Sequence, residues 1–175
     1  MDKLRQYTHT LGLDTILDKT DFFTAPASTR WHGCEVGGLA KHSLAVAETL
    51  INFTDDLYLH WQNKRSPMLI GLLHDVCKIN TYEDYLDEEG KLRWRYRADL
   101  DKNRGHGTLS VKIIEDWGIK LTDEERVCIK YHMGPWTQDI DESLGELTYS
   151  QMLKEYPNLL WVHTADMYAS HVLGT

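Results

Sequence analysis

Apolar residues recur along most of the chain at helical spacing. Leu4, Tyr7, Leu11, Leu13, Ile16 and Leu17 form a loose stripe over residues 3–18, interrupted near Gly12, which predicts two short helices. Residues 21–36 have no periodicity and read as a loop. Gly37-Gly38 opens a helix over about 38–54 with the stripe Leu39, His42, Val46, Leu50, Phe53. Ser66-Pro67 is a helix start, with Ser66 as N-cap and Pro67 in the first position. The segment 67–79 that follows is apolar nearly all round, which predicts a central buried helix. Further helices are expected at 106–117, 122–133, 149–156 and 158–172. The helix over 122–133 opens with Thr122-Asp123-Glu124-Glu125, which has capping-box spacing. Gly134-Pro135 stops that helix, and 135–148 is a polar loop.

One stretch departs from the helical period. Leu92, Trp94 and Tyr96 alternate with Lys91, Arg93, Arg95 and Arg97, and Asp87-Glu88-Glu89-Gly90 separates this arm from Tyr82–Leu86. Period two around a turn predicts a β-hairpin over 81–98. The expected class is therefore all-α, a helical bundle with one inserted hairpin. With no internal repeat or linker, the 175 residues read as one domain whose N-terminal 1–20 is a helical appendage.

Composition narrows this further. Six Trp, nine Tyr and 42% hydrophobic residues exclude intrinsic disorder. No apolar run approaches the length of a membrane span. The first residues, Met1 to Gln6, contain no apolar signal core. The three cysteines, Cys34, Cys77 and Cys128, are odd in number and far apart. They read as small core residues, and a reducing cytoplasm is the expected compartment. The net charge of −8 argues against broad nonspecific nucleic-acid binding. Residues 91–104 nevertheless carry six basic and two acidic side chains, a local +4 on a body of −12. Such a patch suits a small phosphorylated ligand or one end of a polynucleotide; the alternative is a solvated strand face balancing nearby acids.

The polar residues that fall on apolar faces carry the chemistry. His42 lies on its helix's apolar stripe, and His74-Asp75 is embedded in the most apolar segment. His106 shares a face with Leu109 and Ile113, and Asp166 shares one with Leu159 and Val162. His132 completes the set. A buried carboxylate without compensation is expensive, and divalent ions among imidazoles supply that compensation. A His/carboxylate set suits Mn, Fe, Co, Ni, Zn or Mg. Taken singly, each residue has a packing explanation.

The succession Gly38-Leu39-Ala40-Lys41-His42-Ser43, Leu72-Leu73-His74-Asp75-Val76-Cys77-Lys78, Gly105-His106-Gly107, Tyr131-His132-Met133-Gly134 and His163-Thr164-Ala165-Asp166 resembles the HD superfamily of metal-dependent phosphohydrolases, over roughly residues 22–172. The resemblance implies a compact all-α bundle. It implies His42, His74, Asp75 and Asp166 as ligands of one divalent ion, with His106 and His132 serving a second and Asp75 bridging. Phe22 to Ser28 with Trp31-His32-Gly33 resembles the HD part of bacterial 3′→5′ exoribonucleases, whose usual OB-type domain has no room here. The Tyr131-His132 element resembles HD diadenosine tetraphosphate hydrolases.

The implied chemistry is hydrolysis of a phosphate ester by metal-activated water. Lys78 is a candidate to stabilise phosphoryl charge, the alternative being a lysine snorkelling from a helix end. His32 is a candidate to contact phosphate or protonate the leaving oxygen, the alternative being a surface loop histidine. Arg95, Arg97 and Arg104 are candidate substrate contacts, with Trp94 or Tyr96 stacking a base or simply packing the hairpin. His163 is a candidate to orient Asp166, or a packing residue. The function expected is a phosphodiesterase acting on nucleotides or short single-stranded nucleic-acid ends. The alternatives are a 5′-nucleotidase, a dinucleoside polyphosphate hydrolase, a nucleotide-binding module without turnover, or a structural protein whose inward polar residues pair with one another.

Overall fold

The computed structural model describes residues 2–100, 105–137, 140, 143 and 145–175. Its α-helices are α1 (Asp2–Thr10), α2 (Asp14–Leu17), α3 (Gly38–Asp56), α4 (Ser66–Leu73), α5 (His106–Asp116), α6 (Asp123–Lys130), α7 (Tyr149–Glu155) and α8 (Leu159–Tyr168). Among the described residues the β-structure is a single antiparallel hairpin, β1 (Tyr82–Leu86) and β2 (Leu92–Tyr96), registered Tyr82 opposite Tyr96 and Leu86 opposite Leu92. The architecture is thus the expected helical bundle with an inserted hairpin. None of the described helices is long and apolar enough to cross a membrane.

Helix α4 is the hub. Leu69, Ile70, Leu72 and Leu73 are all at most 1% exposed, and α4 touches α3, α6 and α8. Each such side chain contributes about 1.5–3 kcal/mol of burial. The all-round apolar character of the sequence here is what a helix surrounded by helices requires.

Two glycines set the closest crossings. A Cβ on Gly71 would lie 2.3 Å from Ala47 Cα, so α3 and α4 meet backbone to backbone. A Cβ on Gly107 would lie 1.9 Å from the Lys130 carbonyl oxygen, which brings the start of α5 onto the end of α6. These crossings hold the segments that carry His42, His74, His106 and His132.

The helix ends differ from the expected ones in ways that matter for the site. The helix expected over 67–79 stops at Leu73, and a 3₁₀ turn, Val76–Lys78, follows. No glycine or proline marks this break. The His74 ring reaches back to a carbonyl of the last turn, and Asp75 leaves helical geometry at φ −107°, ψ 17°. The helix expected over 122–133 likewise ends at Lys130.

At the other end of α4, Ser66 does not act as N-cap. Its hydroxyl donates to Glu125 Oε1 at 3.0 Å. Glu125 is fully buried and also accepts from the Arg65 guanidinium and the Thr122 N–H, while its own N–H donates to Thr122 Oγ1. The expected capping box is therefore present, and its carboxylate is shared with the start of α4.

Replacing Gly71 by Ala should force α3 and α4 apart and cost about 1–3 kcal/mol of stability. Urea unfolding reads this as a lower midpoint at unchanged slope. A midpoint equal to the parent's would show that the crossing tolerates a side chain.

Candidate metal centre

Three of the histidines are held by one device. His74, immediately after α4, has its Nδ1 3.0 Å from the Gly71 carbonyl, three residues back. His132, two residues after α6, has its Nδ1 2.8 Å from the Ile129 carbonyl, also three residues back. His42, inside α3, has its Nδ1 3.2 Å from the Thr175 main-chain oxygen. A carbonyl oxygen only accepts, so each Nδ1 carries a proton, and a ring with no second proton presents an Nε2 lone pair. The two helix-end histidines also satisfy carbonyls that a helix terminus leaves unpaired.

Those lone pairs converge. His42 Nε2 and His74 Nε2 are 3.2 Å apart. Two acceptors at that distance repel unless a proton or cation is shared between them. Asp166 Oδ1 lies 3.2 Å from His42 Nε2 and 4.0 Å from His74 Nε2. Asp75 Oδ2 lies 3.7 and 3.6 Å from the same two nitrogens, and Asp75 Oδ1 lies 3.5 Å from His132 Nε2. His132 Nε2 is buried and makes no hydrogen bond. Nitrogen and oxygen donors about 2.1 Å from one ion stand about 3.0–3.4 Å apart. An orphaned Nε2, two facing lone pairs and two carboxylates at such spacings fit a divalent cation. His42, His74, Asp75, His132 and Asp166 are the residues that would hold it. The C-terminal, negative ends of α4 and α6 also approach this point, which favours a cation further.

Electrostatics within the cluster follow from the same geometry. Burial pushes the His74 pKa down to about 4, so the ring stays neutral. Burial raises the Asp75 carboxyl, but Lys78, His74 and His132 outweigh it and hold Asp75 well below the ordinary range. Burial likewise raises Asp166, yet its contact with His42 and the proximity of His74 and His132 bring it well below the ordinary range. For His132, burial lowers the pKa while Asp75 and Asp166 raise it, with a net rise. Both carboxylates are therefore ionised, and surplus negative charge is concentrated where the lone pairs meet.

Lys78 Nζ contacts Asp75 Oδ2 at 2.5 Å and borders the cavity above the cluster. Burial disfavours its charge, but Asp75 more than compensates and keeps it an ammonium. His32 also borders this cavity, with its ring centroid 5.2 Å from that of His42 and its Nε2 3.3 Å from Ser170 Oγ. Half-burial, with His42 and Lys78 nearby, takes its pKa down to about 4.

His106 is placed apart from the other imidazoles. It is the first residue of α5 and is exposed, whereas the buried face of α5 is Gly107, Ser110, Val111 and Ile114. The face shared with Leu109 and Ile113 is thus the partly exposed one. The donors near His106 are Asp75 and Cys77, and His132 groups instead with His74 and Asp166.

The expected substrate contacts separate. The cavity, about 360 Å³, is bordered by Asp75, Lys78, His32, His106, Trp31 and Tyr96 among others. A larger groove of about 1,090 Å³ adjoins it, sharing Thr29 and Tyr96. Arg95 borders the groove and pairs with Glu83 at 2.8 Å. Arg97 borders neither cavity and pairs with Asp99 at 3.0 Å. Arg104 lies outside the described residues. Trp94 faces the groove alone, and Tyr96, its ring 5.0 Å from Tyr82, faces both spaces. His163 does not touch Asp166: its Nδ1 contacts the His132 carbonyl at 2.9 Å, and its ring fills the space a Cβ on Gly134 would occupy.

Two features escaped the sequence pattern. Trp31 stands 79% exposed on the cavity rim, and only its proximity to His32 signalled it. Cys77 has the sequence signature of a packing residue, yet its Sγ faces His106. Among the other cysteines, Cys128 is buried as expected and Cys34 is exposed.

The HD domain family model matches residues 39–168, and the chain belongs to that family. The family is one of metal-dependent phosphohydrolases, which agrees with His/Asp groups able to hold a metal ion. Comparison with curated proteins and with solved structures finds no match.

A divalent ion at about a hundred times its dissociation constant should raise the unfolding free energy by about 2.7 kcal/mol, and a chelator should reverse the gain. Asp166→Ala should remove most of this response. Equal melting curves for the parent protein with metal and with chelator would rule the centre out.

Proposed function

We propose that the protein is a phosphodiesterase of the HD family, acting on nucleotides or the ends of short single-stranded nucleic acid. The observation that carries this reading is the junction of the two cavities. The cluster lies at the floor of a space large enough for one phosphate and its sugar, and that space adjoins a groove lined by Tyr85, Trp94, Tyr96 and Arg95. A monoester has no use for the groove, whereas the chain on the far side of a diester does. Aromatic faces suit bases, each stack being worth about 1–3 kcal/mol.

A divalent ion bound by His42, His74, Asp75, His132 and Asp166 would supply Lewis-acid polarisation and water of lowered pKa. The chain's own residues do the rest. Asp75, kept ionised by Lys78, orients donors on both sides of its carboxylate. Lys78 presents an ammonium at the cavity wall, where charge on the phosphoryl oxygens is stabilised. His32 is neutral at physiological pH, so we assign it a hydrogen bond to phosphate rather than donation of a proton to the leaving oxygen. Trp31 offers a rigid stacking surface at the rim.

The test pairs a diester with a monoester chromogenic phosphate across several divalent metals. Asp75→Ala, expected to abolish turnover, is the control. Diester preference is expected. Monoester preference would favour the nucleotidase alternative, and tight nucleotide binding without product would favour a binding module. Lys78→Ala should lower kcat about 10²–10³-fold. Trp31→Ala should raise KM for an oligonucleotide about tenfold while leaving a small chromogenic diester unaffected.

A further inference from the structure

A second donor group sits beside the first. The Cys77 thiol, the His106 imidazole and a carboxylate oxygen of Asp75 all lie within 4.8 Å of one another. Cys77 Sγ is 3.5 Å from His106 Nδ1. A thiolate about 2.3 Å and an imidazole nitrogen about 2.0–2.1 Å from one tetrahedral ion have their donor atoms about 3.5 Å apart. The backbone that carries the thiol is also held in place. Cys77 N–H donates to Ser110 Oγ at 3.2 Å, and Thr81 Oγ1 donates to the Cys77 carbonyl at 2.9 Å. The 3₁₀ turn that interrupts the apolar segment after His74 is what turns Sγ toward α5.

We propose that Cys77, His106 and Asp75 form a sulfur-containing site for a second divalent ion, with Asp75 shared between the two positions. This rests on the metal-centre reading above. The position is anchored from the protein interior by Cys77, which is 4% exposed, and faces the cavity on the His106 side. Binding replaces the thiol proton by the metal: the S–H bond breaks, a metal–sulfur bond forms and the proton leaves to solvent. A thiolate, an imidazole and a carboxylate favour Zn²⁺, Co²⁺ or Fe²⁺ over Mg²⁺ and Mn²⁺. The second position thereby differs in metal preference from the nitrogen and oxygen donors of the first.

Cobalt absorption separates the possibilities. The exposed Cys34 is first replaced by Ser in every protein compared. Co²⁺ is then added without oxygen, and bound ion is counted after desalting. The expected result is two ions per chain, visible d–d bands and a near-ultraviolet sulfur-to-cobalt band. Cys77→Ser should lose the sulfur band and one ion while keeping the d–d bands of the first position. His106→Ala, a change at an exposed residue that leaves the core intact, should also lose one ion. Cobalt bound with d–d bands but no sulfur band in the Cys77 protein would overturn the proposal and leave the first position standing. A sulfur band that survives Cys77→Ser would also overturn it. If no cobalt is retained at all, both the second site and the metal-centre reading fall.

Discussion

Everything at the centre of this protein depends on a hydrogen bond that turns an imidazole around. When Nδ1 of His74 or His132 donates to the carbonyl three residues back, the ring cannot use that nitrogen elsewhere. Nε2 is left with a lone pair aimed at the bundle interior. The same bond satisfies the end of a helix, so the bundle and the donor set are stabilised together. Asp75 and Asp166 then add negative charge among those lone pairs, and Lys78 offsets only the share at Asp75. An apolar interior makes that arrangement costly unless positive charge joins it.

The helices deliver these groups because two crossings are unusually close. Ala47 against Gly71 holds α3 on α4, so that His42 meets His74. Gly107 against Lys130 holds α5 on α6, so that His106 approaches the end of α4. Larger residues at either glycine would widen the spacing between donors as well as loosen the core. Packing and site geometry are therefore one problem in this fold.

Much of this was legible in the chain. Polar residues on apolar stripes marked the inward donors, because an amphipathic helix reveals its buried face by period alone. The hairpin was legible because period two interrupts period 3.6. The end of α4 was not, since no glycine or proline stands between Leu72 and Ile79 and the turn is imposed by the His74 ring and by Asp75. The exposure of His106 was not legible, because the apolar residues of α5 extend beyond its buried face. The contact of Cys77 with His106 was not legible, since a thiol that only packs and one that faces an imidazole have the same sequence signature. The arginine strand left open a phosphate-binding patch or a solvated face balancing nearby acids, and Arg93, Arg95 and Arg97 each pair with an acid. Those partners are spread over Glu83, Asp87 and Asp99, and only the folded hairpin brings the first two opposite the arginines.

The cavity wall has two origins. Its floor comes from helix ends within residues 39–168, whereas Trp31 and His32 come from a loop that precedes that stretch, and Tyr96 comes from the inserted hairpin. The groove is bordered by the same loop and hairpin and by none of the five clustered donors. In the proposed phosphodiesterase, substrate choice and reaction chemistry therefore occupy separable parts of the chain. Changes in the loop or the hairpin tip can redirect which molecules enter without disturbing the donors, so descendants of this scaffold can diversify in diet while inheriting one chemistry.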